Sequence, residues 1–184
     1  MQRNESETHM EYNIYCFCEV FPLLKNFLYH LASHRQINAA LHELPGEREF
    51  WVYTCDAHIE NAVLAWCMVF GTDSNETHWK KIFNGYDDAR NSFLKYLHDK
   101  SNISIDDFQK CWDQMTAFRN DYVAHKAGYA KPVPHFDMAC TIVFCFDVWI
   151  REQIKPDFID FPKFIKLFDE YQKSINKTLQ ALIK

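Results

Sequence analysis

Glycine and proline are scarce in this chain, at four and six among 184 residues. Tight hairpins depend on those residue types, so their scarcity excludes a many-stranded sandwich and favours long helices joined at few corners. Excess positive charge is also missing. The formal net charge is −5 and the pI is near 6.0, which excludes nucleic-acid binding by bulk charge and leaves a local basic surface as its only basis. No Cys-x-x-Cys occurs among the seven cysteines, Cys16, Cys18, Cys55, Cys67, Cys111, Cys140 and Cys145. An odd number without that spacing predicts small core residues in a reducing, cytoplasmic setting rather than a disulfide framework. Long hydrophobic runs are absent as well. The most apolar segment, 138–150, is interrupted by Asp147; it is too short to cross a bilayer and is expected as a buried helix, with no membrane partner. Residues 1–11 are polar and acidic without a signal-like apolar stretch, and 1–10 are expected as a flexible leader. No Gly-rich phosphate loop, Cys/His zinc pattern or Ser-His-Asp arrangement is present. Neither a cofactor nor a metal is expected.

What the chain has is apolar and aromatic. Hydrophobic residues make up 48%, with sixteen Phe, nine Tyr and five Trp, enough for one globular domain over 11–184 with a substantial core. Apolar spacing predicts a helix over 12–41, with Phe17, Phe21, Leu24, Phe27, Leu28 and Leu31 inside and Pro22 as a kink or restart. A second helix, 47–70, buries Trp51, Cys55, His58, Ile59, Ala62, Trp66 and Val69 and ends at Gly71. Asp73 or Ser74 is expected to cap a short helix carrying Trp79, Ile82 and Phe83. Helices over 87–98, 104–128, 135–153 and 162–183 complete an all-α bundle of five to seven helices with no strand. The stripe of the last is Phe164, Ile165, Phe168, Tyr171, Ile175, Leu179 and Leu182. His30 and His34, four apart, have a spacing that can bind zinc but read as helix-surface histidines.

One feature departs from this regularity. On an α-helical wheel Phe108, Trp112, Met115, Thr116, Tyr122 and Val123 share one arc, and Arg119 falls near its middle, with His125 at the edge beside Phe118 and Cys111. A guanidinium is always charged and costly to bury alone. Either the arc is not core at that point or something anionic meets the arginine. Two readings stand side by side. In the structural one, Arg119 snorkels or pairs with an acid, and Asp121 holds His125 at (i, i+4). In the functional one, the two side chains serve a site.

Arg119-Asn120, followed after four further residues by His125, resembles the motif of the HEPN superfamily, an Arg followed after four to six residues by a His, often with a polar residue after the Arg. The stretch Phe70-Gly71-Thr72-Asp73 to Thr77-His78-Trp79-Lys80-Lys81 is also similar to a loop in one branch of HEPN proteins. The resemblance implies an antiparallel HEPN-like helical bundle and a metal-independent endoribonuclease, a toxin or phage-defence component. Its catalytic residues would be Arg119, His125 and Asn120: Arg119 gripping the phosphate, His125 moving the proton, Asn120 orienting one of them. Two protomers of a homodimer would line one cleft, RNA would be the substrate, and an antitoxin or neighbouring-gene product a partner. Histidine is the side chain that titrates near neutral pH, and arginine offers phosphate a planar fork, so the residue types suit that chemistry. Lys80, Lys81 and Lys126 are the candidate RNA contacts, with Lys131 as a further cation. The alternative is a non-catalytic dimerisation or RNA-binding module acting with a partner protein.

Overall fold

The computed structural model describes residues 12–83, 86–124, 133–134, 136–154 and 160–183, with backbone alone for 86, 122–124 and 154. Among these residues the chain forms six α-helices and no strand: α1 (Ile14–Ala40), α2 (Arg48–Phe70), α3 (Tyr86–Ser101), α4 (Ile105–Phe118), α5 (Phe136–Ile154) and α6 (Phe164–Ile183). A 3₁₀ turn, Trp79–Ile82, stands between α2 and α3, and a π-helical turn, Arg119–Ala124, continues α4. The leader and part of the segment expected to link the last two helices, 156–162, lie outside the described residues.

α1 is one helix of 27 residues that runs through Pro22, rather than stopping and restarting there. A proline deprives the carbonyl four residues earlier of its partner. That carbonyl belongs to Cys18, and both Cys18 and Pro22 are exposed, so the break falls on the solvent side of the helix. Asn13 opens the helix, its side chain accepting from the Tyr15 and Cys16 amides at 3.0 and 3.3 Å. All six apolar positions expected on this helix are buried.

α2 returns antiparallel to α1 after a corner at Pro45-Gly46, where Gly46 takes a positive φ of 83°. α6 lies on the other flank of α1 and runs in the same direction: Phe21 meets Phe164, Tyr29 meets Tyr171 at 5.2 Å, and Ile37 clusters with Leu179. Its apolar stripe is narrower than expected. Phe164, Phe168 and Leu179 are buried, whereas Ile165 and Leu182 are 60% and 47% exposed, because α6 packs on α1 and α5 at one margin of the bundle.

The loop after α2 is anchored by aromatic packing. Trp79, in the 3₁₀ turn, meets Phe93 of α3 at 5.3 Å and Phe146 of α5 at 5.9 Å, both edge-on, and Phe93 in turn meets Trp149 at 5.2 Å. Such contacts add about 0.5–1.5 kcal/mol each beyond the area they bury. α5 also carries the fully buried Asp147. Its carboxylate accepts from the Phe164 amide at 2.8 Å and from Arg151 Nε at 2.7 Å, so an acid that interrupts an apolar run is the cap of α6.

Candidate functional site

α4 begins in a reciprocal cap. Ser104 Oγ accepts from the Asp107 amide at 3.1 Å, and the Asp107 carboxylate accepts from the Ser104 amide at 3.2 Å. Cys111, Met115, Thr116 and Phe118 are buried, while Phe108, Trp112 and Arg119 are half-buried. Those last three lie within about 40° of one another on the helix wheel. Buried Met115 and Thr116 flank that arc on the wheel, so Arg119 stands in a half-buried strip between them where the core opens to solvent. Here the first of the two options raised by the wheel holds.

Beyond Phe118 the expected helix continues over Arg119–Ala124 as a π turn rather than as α-helix, and its remainder to 128 lies outside the described residues. A π turn takes one more residue per bonded turn, is rare, and recurs at functional sites. The α-helical wheel therefore ceases to apply at Arg119, and the angle it implies between positions 119 and 125 no longer follows. His125, Lys126 and Lys131 lie outside the described residues. Arg119 Nε and Nη2 both donate to the Asn120 amide oxygen, at 3.0 and 2.8 Å. That oxygen orients the guanidinium but carries no formal charge to neutralise it. Arg119 also sits beside α2, near enough for its field to favour the Cys67 thiolate, yet burial dominates and pushes that thiol up to about 12. Cys67 therefore stays protonated and donates to the Met115 carbonyl at 3.7 Å.

The second stretch of the resemblance, 70–81, packs against this same helix. Asn75 Nδ2 donates to the Cys67 carbonyl and Thr77 Oγ to the Met68 carbonyl, at 2.9 and 3.0 Å, which satisfies the carbonyls at the end of α2. Trp112 Nε1 donates to the Gly71 carbonyl at 3.1 Å and ties the loop to α4. An alanine at 71 would put its Cβ 2.2 Å from the Cys67 carbonyl oxygen, so the close return of the chain at this corner requires glycine.

His78, not Asp73 or Ser74, caps the 3₁₀ turn. Its Nδ1 accepts from the Lys80 amide at 3.3 Å, so in the neutral ring the proton sits on Nε2, 3.5 Å from Asp73 Oδ1. The side chain is buried, and desolvation lowers its pKa from 6.5 to about 4 against the opposing pull of Asp73. At neutral pH His78 is an uncharged cap. The unfolded chain binds a proton here that the folded chain refuses, so stability rises with pH between about 4 and 6.5 and is lost as pH falls through that window. Moving from pH 7 to pH 5 is expected to cost about 2 kcal/mol through His78 alone. Urea denaturation at both values, with His78→Asn as the comparison, measures it; an equal slope in the variant would remove His78 as the cause.

The candidate RNA-contacting lysines of this loop are engaged by its own acids. Lys80 Nζ lies 2.6 Å from Asp73 and Lys81 Nζ 3.1 Å from Glu76. Between the loop, α3 and α4 opens a cleft of about 380 Å³, bordered by Phe108, Gln109 and Trp112 on α4, Arg90 on α3, and Asp73 and Lys80 on the loop. Arg90 and Gln109 were not singled out by sequence. They carry no spacing signal, because three separate segments compose the cleft.

His30 and His34 are half-buried rather than free on the helix surface. α2 covers them, placing His58 Nδ1 2.8 Å from His30 Nδ1 and Cys55 Sγ 3.1 Å from His34 Nδ1. Burial lowers the pKa of both His30 and His58, so between neutral rings one nitrogen donates and the other accepts. Among the described residues no group of three or more His, Cys, Asp or Glu side chains is arranged to hold a metal ion. No described helix is long and apolar enough to cross a membrane.

No protein-family model, curated protein or solved structure matches the chain.

Proposed function

We propose that this protein is a HEPN-type, metal-independent endoribonuclease that works as a homodimer in toxin–antitoxin or phage-defence chemistry. The observation that carries this reading is the setting of Arg119. It stands at the start of the π turn that continues α4, half-buried, with its fork held by a neutral amide. A cation in that position has charge to offer an incoming phosphate.

In the reaction, His125 takes the proton of a ribose 2′-OH as its oxygen attacks the adjacent phosphorus. Arg119 holds the non-bridging oxygens while charge builds on them, and Asn120 keeps the guanidinium in its plane. The bond from phosphorus to the 5′ oxygen breaks, and that oxygen leaves with a proton taken from solvent, to which His125 returns the one it accepted. The products are a 2′,3′-cyclic phosphate and a 5′-hydroxyl.

The pairing of Lys80 and Lys81 with neighbouring acids, together with the net charge of −5, favours a second reading. In it the chain is a non-catalytic HEPN dimerisation or RNA-binding module acting with a partner protein. Parallel induction of the wild-type chain and His125→Ala, followed by growth and total RNA integrity, separates the two. The ribonuclease fragments RNA or arrests growth as wild type only. Intact RNA and equal growth in both, with soluble protein present, would reject it in favour of the module.

A further inference from the structure

The cleft beside α4 is unused by the Arg119–His125 pair, and its chemistry is specific. Two of its walls are aromatic rings four residues apart on one helix, Phe108 and Trp112, both half-buried. The indole of Trp112 is held in place by its bond to the Gly71 carbonyl, so its position is set before any ligand arrives. Charge in the cleft is unevenly disposed. Lys80 is matched by Asp73 at 2.6 Å, and the neighbouring His78 is neutral at pH 7. Arg90, on α3, also acts on Asp73, so two cations share one carboxylate and the cleft keeps one positive charge in excess. Gln109, exposed at the rim, spends one N–H on Asp113 at 3.1 Å and keeps its other N–H and its oxygen for a ligand. Aromatic faces, one surplus positive charge and an amide suit a flat heterocyclic base joined to a single phosphate.

Location narrows the ligand further. Trp112 is on α4 and Arg119 is the first residue beyond it, seven positions on and ~10 Å along the helix axis. A ligand seated on Trp112 therefore lies beside whatever Arg119 grips. We infer that the cleft holds one nucleotide of single-stranded RNA flanking the nucleotide whose phosphate meets Arg119, with its base against Phe108 and Trp112 and its phosphate on Arg90. This subsite rests on the ribonuclease reading, and it makes the substrate a single strand, since a base paired in a duplex has no free face to offer.

The test uses the full chain with two probes: adenosine 5′-monophosphate, and a short single-stranded RNA blocked by 2′-O-methyl groups so that it binds without being cut. Anisotropy and calorimetry give affinities, and an unblocked RNA gives kcat and KM. Arg90→Ala and Phe108→Ala are each expected to weaken the blocked RNA about tenfold, with the loss in cleavage falling on KM. Arg90→Lys recovers part of that loss, as it restores charge without the fork. Arg119→Ala is expected to keep mononucleotide binding. Cleavage by wild type with Arg90→Ala and Phe108→Ala unchanged in affinity and KM would overturn the subsite and leave the ribonuclease standing. Binding of both probes that depends on Arg90, with no cleavage by wild type, would support the nucleotide site and remove the ribonuclease. Failure of wild type to bind either probe would overturn the subsite outright.

Discussion

Arg119→Ala is expected to slow RNA cleavage about 10²–10³-fold, the loss that follows when one preorganised group facing the transition-state charge is removed. The fold should survive the change. Arg119 is half-buried at the edge of the core, and its side-chain hydrogen bonds go to the adjacent Asn120 rather than across the bundle. Circular dichroism and the urea midpoint should therefore stay close to wild type while the rate collapses. Arg119→Lys is the informative companion. It restores the charge but cannot divide two parallel N–H groups between an amide oxygen and a phosphate, so it should recover only a small part of the rate. Initial rates on an end-labelled RNA measure both. A rate for Arg119→Ala within twofold of wild type would leave the cleavage mechanism without its phosphate clamp.

Asp147→Ala is expected to cost about 3 kcal/mol of stability, at the lower end of what is seen when one member of a buried ion pair is deleted. Two donors lose their acceptor at once. The Phe164 amide, buried at the start of α6, has no other route to an acceptor once the carboxylate is gone. Arg151 loses its 2.7 Å contact but keeps the Pro162 carbonyl at 3.3 Å and the face of Phe161 at 5.0 Å. Its 20% exposed side chain also retains some hydration, and for that reason the loss stays below the upper end of the range. Asp147→Asn keeps an acceptor for Phe164 and should cost about half as much. Urea unfolding followed at 222 nm checks the pair. An Asp147→Ala variant within 0.5 kcal/mol of wild type, on the order of an ordinary surface change, would mean that α6 does not depend on this cap.

Both residues show how much of the molecule could be read before any coordinates. Asp147 was legible as an interruption of an apolar helix but not as a cap, because its partner Phe164 is seventeen positions away and joins it only when α5 and α6 pack. Arg119 was legible as an anomaly on the wheel of α4. The wheel assumes α-helical geometry throughout, and the π turn begins at the arginine itself, so the spacing argument fails at the residue it was meant to explain. His30 and His34 read as surface residues because one helix viewed alone has no far side; α2 supplies it, with Cys55 and His58.

The sequence alone determined the helical class, the core positions of α1 and the end of α2 at Gly71. These follow from local forces: apolar periodicity matched to helical rise, side chains that cap helix ends, and residue types that tolerate sharp turns. Tertiary structure decided the rest. It set α6 parallel to α1, left Phe108, Trp112 and Arg119 half-buried where the core opens to solvent, and committed Lys80 and Lys81 to acids of their own loop. It also brought Arg90 of α3 to the cleft that the aromatic rings of α4 border. The charge left over in that cleft depends on which cations find carboxylates at short range, and distance between segments remote in the chain is fixed only by packing.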